Sequence, residues 1–396
     1  MTSTPRPVGD DRLPEEIVLP QTAAGRQAAA FLDALNTEDL DKMRAFIAEH
    51  SDASLLTRYP IEAVMQWASG VYRSTGGVSP HAVDYSTDGE ISLHARARRG
   101  DALYHLTLRV APEPPHHVTH LDAVRAADKL IDVGGYRLAV TSVGRGRPTV
   151  VLDAGLGHSS GLTWVHVLDA VAELTHVVSY DRAGLGQSDS APASRPRTSQ
   201  QIVMELHTLL NNAGIAGPYV LVGFSFGGFN VRLYAHHYPD DVAGIVLVSS
   251  SNTEQRARFL EILPPETPGE SPMLTSLRRD SEWLADPTKN TEGIDWIASE
   301  AQVRAAGSFG DKPLVVITQG RVPQWPPDFP AEVAARLLQA RREMHRSLVQ
   351  LSSESTHVVA DKSGHVIPYD QPDLVVAAIR QVVEAVRDKD KLQNRP

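Results

Sequence analysis

The most informative segment of this chain is Tyr219-Val-Leu-Val-Gly-Phe-Ser-Phe-Gly-Gly-Phe229. Its apolar first half, followed by residues with helical spacing, predicts a buried parallel strand that turns sharply into a helix at Ser225. Gly223 and Gly227 stand two residues to either side of the serine, where a Cβ would collide with the backbone of so tight a turn. This G-x-S-x-G pattern presents a serine hydroxyl above the sheet, although so short a motif also occurs in incidental glycine-rich turns.

Length and composition limit the class of protein. A chain of 396 residues exceeds one typical domain, so we expect two. The hydrophobic content of 42% is ordinary for a globular protein, and no apolar run is long enough to cross a bilayer, so no membrane partner is expected. The absence of cysteine excludes disulfides, thiolate metal sites and cysteine nucleophiles.

Charge points to a small-molecule substrate as the partner. The net charge is −10, and no block of Lys and Arg offsets it, which argues against binding to nucleic acid. The first residues are polar and acidic where a signal peptide would have an apolar core, so we expect a cytoplasmic location.

The first third of the chain predicts a separate α+β domain. Residues 1–20 lack periodicity and are expected to form a disordered arm. Residues 22–49 and 60–72 have helical periodicity, with a turn at 36–39, and the period then changes to two in strands that end near residue 124. Helices followed by a run of strands give an α+β domain over residues 21–125.

The order of these elements resembles the cone of the nuclear-transport-factor-like and polyketide-cyclase-like proteins. The helix end Phe31-Leu-Asp-Ala-Leu-Asn-Thr-Glu-Asp39 and the Gly76-Gly77 step carry the likeness. We expect this domain either to cover the rest of the protein or to dimerise it, which would give a homodimer, and to take no part in bond making. His116, His117 and His120 invite a metal interpretation, but on a strand they cannot all face one way, so we expect packed or solvated histidines and no metal site.

The rest of the chain, residues 126–390, alternates strands with helices and predicts a mostly parallel, doubly wound α/β sheet. Residues 251–311 break the alternation, because they hold two prolines in succession and helical patches but no good strand. A long insertion between core strands is usually a lid over a binding site, so we expect a helical lid over residues 252–311.

This second domain resembles the α/β-hydrolase superfamily in four matched segments. They are Asp153-Ala-Gly-Leu-Gly157, Tyr180-Asp-Arg-Ala-Gly-Leu-Gly-Gln-Ser188, Gly223-Phe-Ser-Phe-Gly-Gly228 and Ser363-Gly-His365. The order of nucleophile before histidine also agrees with the superfamily. The resemblance implies a serine hydrolase that needs no cofactor, with Ser225 as the nucleophile, His365 as its base, and the backbone N–H groups of Leu156 and Phe226 as the oxyanion hole.

The third member of the catalytic triad is missing from its usual places. The superfamily carries an acid after one of the two strands that follow the nucleophile, where this chain has Ser249 and Val322. Glu254 is near enough in sequence to reach inward, whereas Asp361 is too close to the strand end. Two alternatives stay open, namely that Glu254 is the acid or that the site has none.

The leading hypothesis is therefore a serine hydrolase that acts on an ester, thioester or lactone-like small molecule. The missing acid and the cyclase-like first domain motivate an alternative, a cyclase or lyase on the same scaffold in specialised metabolism. A binding or sensing protein without turnover is a third class, but it would not need Ser225 and His365 together.

Overall fold

The computed structural model describes residues 17–37, 39–100, 102–192 and 196–393. The chain divides into two compact units, Met1–Arg125 and Ala126–Pro396, which are described separately. Most of the expected N-terminal arm lies outside the described residues. No helix within the described ranges is both long and apolar enough to cross a membrane.

The first unit begins with helices whose ends follow from the local sequence. In the described part of this unit they are α1 (Ala23–Leu35), α2 (Leu40–His50), α3 (Ala53–Arg58) and α4 (Ile61–Thr75). Thr22 caps α1 by accepting the N–H of Gly25, and Asp39 caps α2 in the same way. Helix α4 ends at Gly76, whose φ of 65° is left-handed.

A four-stranded antiparallel sheet completes the first unit, in the order in which its strands occur in the chain. The strands are β1 (Val78–Ser86), β2 (Glu90–Ala97), β3 (Leu103–Val110) and β4 (Val118–Arg125). Alternate residues such as Leu93 and Leu106 are buried under the helices, while the intervening residues form the other face. Helices followed by strands agree with the sequence pattern, and the resemblance to a cone stays a prediction.

The second unit is built on an eight-stranded sheet in the order β12-β11-β10-β9-β7-β8-β6-β5. The strands are β5 (Lys129–Asp132), β6 (Arg137–Val143), β7 (Thr149–Asp153), β8 (Val177–Tyr180), β9 (Tyr219–Phe224), β10 (Val242–Val248), β11 (Leu314–Gln319) and β12 (Ser355–Ala360). Strands β7 to β12 run parallel, whereas β5 and β6 form an antiparallel hairpin and β6 is antiparallel to β8. The mixed, mainly parallel sheet agrees with the predicted α/β class.

Helices cover both faces of this sheet. They are α5 (Ser160–Thr163), α6 (Leu168–Ala172), α7 (Ser199–Asn212), α8 (Gly227–His237), α9 (Gln255–Ile262), α10 (Pro272–Ala285), α11 (Trp296–Arg304), α12 (Ala331–Val349), α13 (Ile367–Asp370) and α14 (Pro372–Gln393). Leu221 of β9 belongs to the core beside α7 and α8, whereas its neighbours Val220 and Val222 belong to the core beside α14. Because the strands are buried on both faces, they read as continuous apolar runs.

The insertion between β10 and β11 carries the helices α9, α10 and α11. Helix α11 packs against α7 and α8, and a small apolar cluster joins the first part of the insertion to α12 through Leu263, Leu274 and Leu337. Sequence reasoning did not anticipate the contribution of α12. Whether the insertion works as a lid stays a prediction.

The two units should fold independently, because the apolar cores of the second unit are built from its own residues. We expect a fragment of residues 126–396 to be soluble and to give a far-ultraviolet circular dichroism spectrum with cooperative thermal unfolding. The full-length chain is the control. A fragment that aggregates or melts without cooperativity would contradict independent folding.

Candidate active site

Ser225 stands at the junction of β9 and α8 with a φ of 52°, a left-handed conformation that is strained for a serine. The flanking glycines make the turn possible. A Cβ on Gly223 would lie 2.5 Å from the carbonyl oxygen of Gly227, and one on Gly227 would lie 2.4 Å from that of Asp153. No side chain fits at either position, so the backbone reason given for the G-x-S-x-G pattern holds in the structure.

The structure brings the serine and the expected base together. The Nε2 atom of His365 lies 3.0 Å from the Oγ of Ser225, a hydrogen-bonding distance. His365 lies in the loop between β12 and α13, and the Asp370 carboxylate holds this loop by accepting from the Ser363 hydroxyl and the Gly364 N–H. A base that touches a strained serine at the end of a parallel strand can take the hydroxyl proton during nucleophilic attack.

The partner of the base is a serine instead of a carboxylate. The Oγ of Ser249 lies 2.8 Å from His365 Nδ1, and Ser249 is only 4% exposed. The prediction that Glu254 holds the imidazole is therefore wrong. The Glu254 side chain is 63% exposed, and its carboxylate lies 4.0 Å from Arg258 on the next turn of its own helix. The loop that follows β10 points Glu254 outward, while Ser249, directly at the strand end, reaches the ring.

Val322 and Asp361, the other two positions considered for the acid, do not supply a carboxylate to His365 either. Val322 is 49% exposed in the loop after β11. The carboxylate of Asp361 accepts from Gln371 at 3.4 Å. Within the described residues, no carboxylate forms a hydrogen bond or ion pair with His365.

Its surroundings keep His365 neutral. Burial, and then the positive charges of Arg341 and His158, lower the pKa of His365 to about 4, and no acidic group raises it. His365 is nevertheless exposed to solvent in part, and its hydrogen bond to Ser225 is more exposed than its hydrogen bond to Ser249. At neutral pH the imidazole is thus an unprotonated base that water can reach.

The expected oxyanion donors lie beside the nucleophile. A Cβ built on Gly155 would lie 3.5 Å from the Cβ of Ser225, so the loop after β7 runs along the serine. Among the described residues, none accepts a hydrogen bond from the backbone N–H of Leu156 or Phe226. Two such N–H groups near a serine are what an oxyanion would need, and this role of Leu156 and Phe226 stays a prediction.

Sequence reasoning missed a buried ionic network beneath this loop. Arg182 is 2% exposed and forms ion pairs with Asp153 and Glu292, each at 2.7 Å. Its guanidinium also donates to the carbonyl oxygens of Ala154 and Gly155. All five N–H donors of the guanidinium are thereby used, and two of them hold the loop after β7, residues 154–157, which is the expected oxyanion loop.

Glu292 connects the network to the insertion between β10 and β11. Its carboxylate accepts from Arg182 and from the N–H of Gly157 at 2.7 Å. Burial raises the pKa of Glu292, but the charge and hydrogen bonds of Arg182 outweigh burial and leave that pKa below its usual value. Arg182 belongs to a loop that was recognised in the sequence, whereas nothing in the sequence marks Glu292 as its partner 110 residues away.

The aromatic residues near the nucleophile are mostly core. Phe226 and Phe229 are fully buried, and the Trp296 ring lies 5.3 and 5.2 Å from their centroids. They join α11 to α8 and leave little apolar surface for a ligand. These three rings are therefore part of the core of the second unit.

Comparisons with known proteins agree with this architecture. The family model that matches is described as the alpha/beta hydrolase family, and it covers residues 150–378, more than half of the chain. YqjL of Bacillus subtilis is 30% identical over 234 residues, which are 59% of this chain and 83% of YqjL. A protein of Hormonema carpetanum described as a probable transporter, efuK, is 28% identical over 302 residues. That match covers 66% of this chain but only 43% of efuK.

A solved structure, a thermophilic esterase from Thermogutta terrifontis, is similar with a TM-score of 0.45 and 22% sequence identity. The match covers 65% of this chain and 98% of the esterase.

The Arg182 network predicts that Glu292→Gln weakens both stability and the reactivity of Ser225. Both carboxylate oxygens of Glu292 accept hydrogen bonds, from Arg182 and from the N–H of Gly157. The amide of glutamine would place its NH₂ group against one of these donors, and that hydrogen bond would be lost. Losing one partner of a buried ion pair costs about 3–5 kcal/mol of unfolding free energy. We expect this loss in chemical denaturation, with slower labelling of Ser225 by a fluorophosphonate.

Glu282→Gln is the matched control, because Glu282 lies on α10 of the same insertion and is exposed. Equal stability of the two variants would contradict the structural role of Glu292.

Proposed function

Because this chain belongs to the alpha/beta hydrolase family, we propose that it is a serine hydrolase that cleaves an ester, thioester or lactone-like small molecule. The contact of 3.0 Å between Ser225 Oγ and His365 Nε2, on a serine held in a left-handed conformation, carries the proposal. Fold alone would not support it, since one fold hosts many functions.

In the proposed first step, the Oγ of Ser225 attacks the carbonyl carbon of the substrate while His365 Nε2 takes the hydroxyl proton. The carbonyl oxygen becomes an oxyanion and accepts hydrogen bonds from the N–H groups of Leu156 and Phe226. His365 then returns the proton to the leaving alcohol or thiol, and an acyl group remains on Ser225.

In the second step, water replaces the leaving group. His365 takes a proton from this water as its oxygen attacks the acyl carbon, and a second oxyanion forms in the same place. When the carbonyl is restored, the acid leaves and Ser225 regains its proton from His365. His365 and its hydrogen bond to Ser225 are exposed, which gives water the access that this step needs.

Because its partner Ser249 is neutral, we expect His365 to be a less effective base than the histidine of a triad with a carboxylate. Its hydroxyl oxygen can accept the Nδ1–H of His365 and so keep the Nε2 atom free for Ser225. A neutral oxygen stabilises the developing imidazolium less than a carboxylate would. In serine proteases, replacing the aspartate of the triad by asparagine lowers turnover about ten-thousandfold, partly because the tautomer is wrong. Here the tautomer is preserved, so the expected loss is smaller.

The neutral partner also favours a second candidate function. Cyclisation or lyase chemistry that needs Ser225 only as a hydrogen-bonding group would not require a charged triad, and no carboxylate contacts His365 among the described residues. Such an enzyme would convert its substrate without forming an acyl-serine. The next experiment separates the two functions.

Labelling of Ser225 tests the acyl-enzyme. We expect a fluorophosphonate to modify Ser225 in the wild type, and neither Ser225→Ala nor His365→Ala to react at a comparable rate. On a panel of acyl esters of increasing chain length, Ser225→Ala should lose at least about a thousandfold in kcat/KM. Equal rates of ester cleavage by wild type and Ser225→Ala would remove Ser225 from the mechanism and leave the second function.

Ser249→Asp should create a charged triad. Ser249 has a φ of 41°, a left-handed conformation that Asp and Asn tolerate, so the change fits the backbone. A carboxylate at Nδ1 favours the protonated imidazole and raises the pKa of His365. Activity requires the unprotonated base, so it is present above this pKa and lost as the pH falls through it.

We therefore expect the acidic limb of kcat/KM to lie below pH 6.5 in the wild type and at higher pH in Ser249→Asp, with turnover at pH 8 at least about tenfold higher. Ser249→Asn, of the same shape without the charge, is the control. If the acidic limb of kcat/KM has the same pKa in Ser249→Asp as in the wild type, the residue at position 249 does not set the pKa of His365.

A further inference from the structure

A group of metal-ligand side chains lies in the first unit, far in sequence from Ser225. Within the described residues, the one set of at least three His, Cys, Asp or Glu groups with suitably close donor atoms is Asp84, His94 and His105, whose donor atoms all lie within 4.8 Å of one another. These are not the histidines singled out in the sequence. His116 instead lies in a turn, where its ring contacts the carbonyl of Ala111.

The sheet places the three residues on one face. His94 of β2 is directly opposite His105 of β3, and their ring centroids are 5.3 Å apart. Asp84 is the extra residue of a bulge in β1, between Val83 and Tyr85, which pair with consecutive residues of β2. The bulge re-aims the Asp84 side chain, a common role of this irregularity next to functional sites.

The distances from Asp84 to the two imidazoles suit a shared metal ion better than direct hydrogen bonds. One carboxylate oxygen of Asp84 lies 3.5 Å from Nε2 of His94, and the other lies 3.5 Å from Nε2 of His105. Both distances exceed the usual hydrogen bond of about 2.9 Å. Two ligand atoms on one tetrahedral zinc ion are about 3.4 Å apart, given bonds of about 2.0–2.1 Å.

Ser92 lies beside this group and orients the carboxylate. Its hydroxyl donates to Asp84 at 2.9 Å and accepts from His105 Nε2 at 2.9 Å. A metal ion on His105 Nε2 would replace the proton of this second hydrogen bond, so that metal binding is linked to its release. A donor behind a ligating carboxylate fixes its orientation, as is usual around metal ions. The side chains of His94, His105 and Asp84 are 33%, 31% and 37% exposed, so an ion could enter from solvent.

We propose that Asp84, His94 and His105 form a binding site for a divalent transition-metal ion of the zinc type. Two imidazoles and one carboxylate are a donor set that zinc accepts, with a fourth position open to water. This proposal does not depend on the proposed hydrolase function. It would tie the bulged edge strand β1 to β2 and β3.

The affinity should be moderate. His94 Nδ1 is buried and has no hydrogen-bond partner within the described residues, so His94 lacks the acceptor that usually orients a ligating imidazole. A missing outer partner of this kind costs about 10–100-fold in affinity. We therefore expect binding in the micromolar range.

The experiment titrates Zn²⁺ into the full-length chain, freed of metal by a chelator, in an isothermal calorimeter. Co²⁺ serves as a second probe, because its visible absorption reports tetrahedral coordination. We expect one Zn²⁺ per chain, and an affinity at least about tenfold lower in Asp84→Asn and in His94→Ala. His81→Ala is the control, because His81 is an exposed histidine on the same strand as Asp84 and should leave binding unchanged.

Asp84→Asn keeps the shape of the side chain and is expected to fold. If circular dichroism shows that His94→Ala is unfolded, the Zn²⁺ affinity of Asp84→Asn alone tests the proposal. No binding up to millimolar Zn²⁺, or an affinity that Asp84→Asn leaves unchanged, would overturn the proposal. An equal loss in His81→Ala and Asp84→Asn would also overturn it, because binding would then be adventitious.

Discussion

The close approach of β9, α8 and β7 at Gly223 and Gly227 is the constraint on which the second unit depends. Both positions are glycine, so the backbones can approach to distances that no Cβ would allow. The chain can therefore turn from strand to helix within one residue, and that residue is Ser225. Left-handed strain of this kind costs about 1–3 kcal/mol and persists only where the surroundings hold it. Here the neighbouring strand does so, since the N–H of Ser225 donates to Val248 and its carbonyl accepts from Ser251.

The same parallel sheet gathers the rest of the site. Leu156, Arg182, Ser225, Ser249 and His365 each follow a different parallel strand at its carboxyl end, and these ends share one edge of the sheet. This regularity explains why sequence reasoning could place Ser225 and His365. Each follows an apolar strand with glycine close by, and both signals are local. The alternation of strands and helices is local too, and it gave the fold class.

What the sequence could not give were pairings between side chains of distant segments. Ser249 and Glu254 are five residues apart, and only the path of the chain after β10 decides that the serine meets His365. The ion pair of Arg182 with Glu292 joins a motif loop to an insertion without any pattern of its own. In the first unit, Asp84 reaches its histidines because of a bulge that alternation alone does not reveal.

The buried guanidinium of Arg182 also ties one part of the insertion to the core and leaves the other part without this tie. Residues 292–304 are fastened to the core, because Glu292 bonds Arg182 and the N–H of Asp295 donates to Arg197. Lifting them would expose an unpaired charge and loosen the oxyanion loop in the same event. Helices α9 and α10 carry no such anchor to that loop among the described residues. Amide hydrogens of α9 and α10 should therefore exchange with solvent independently of those in residues 292–304.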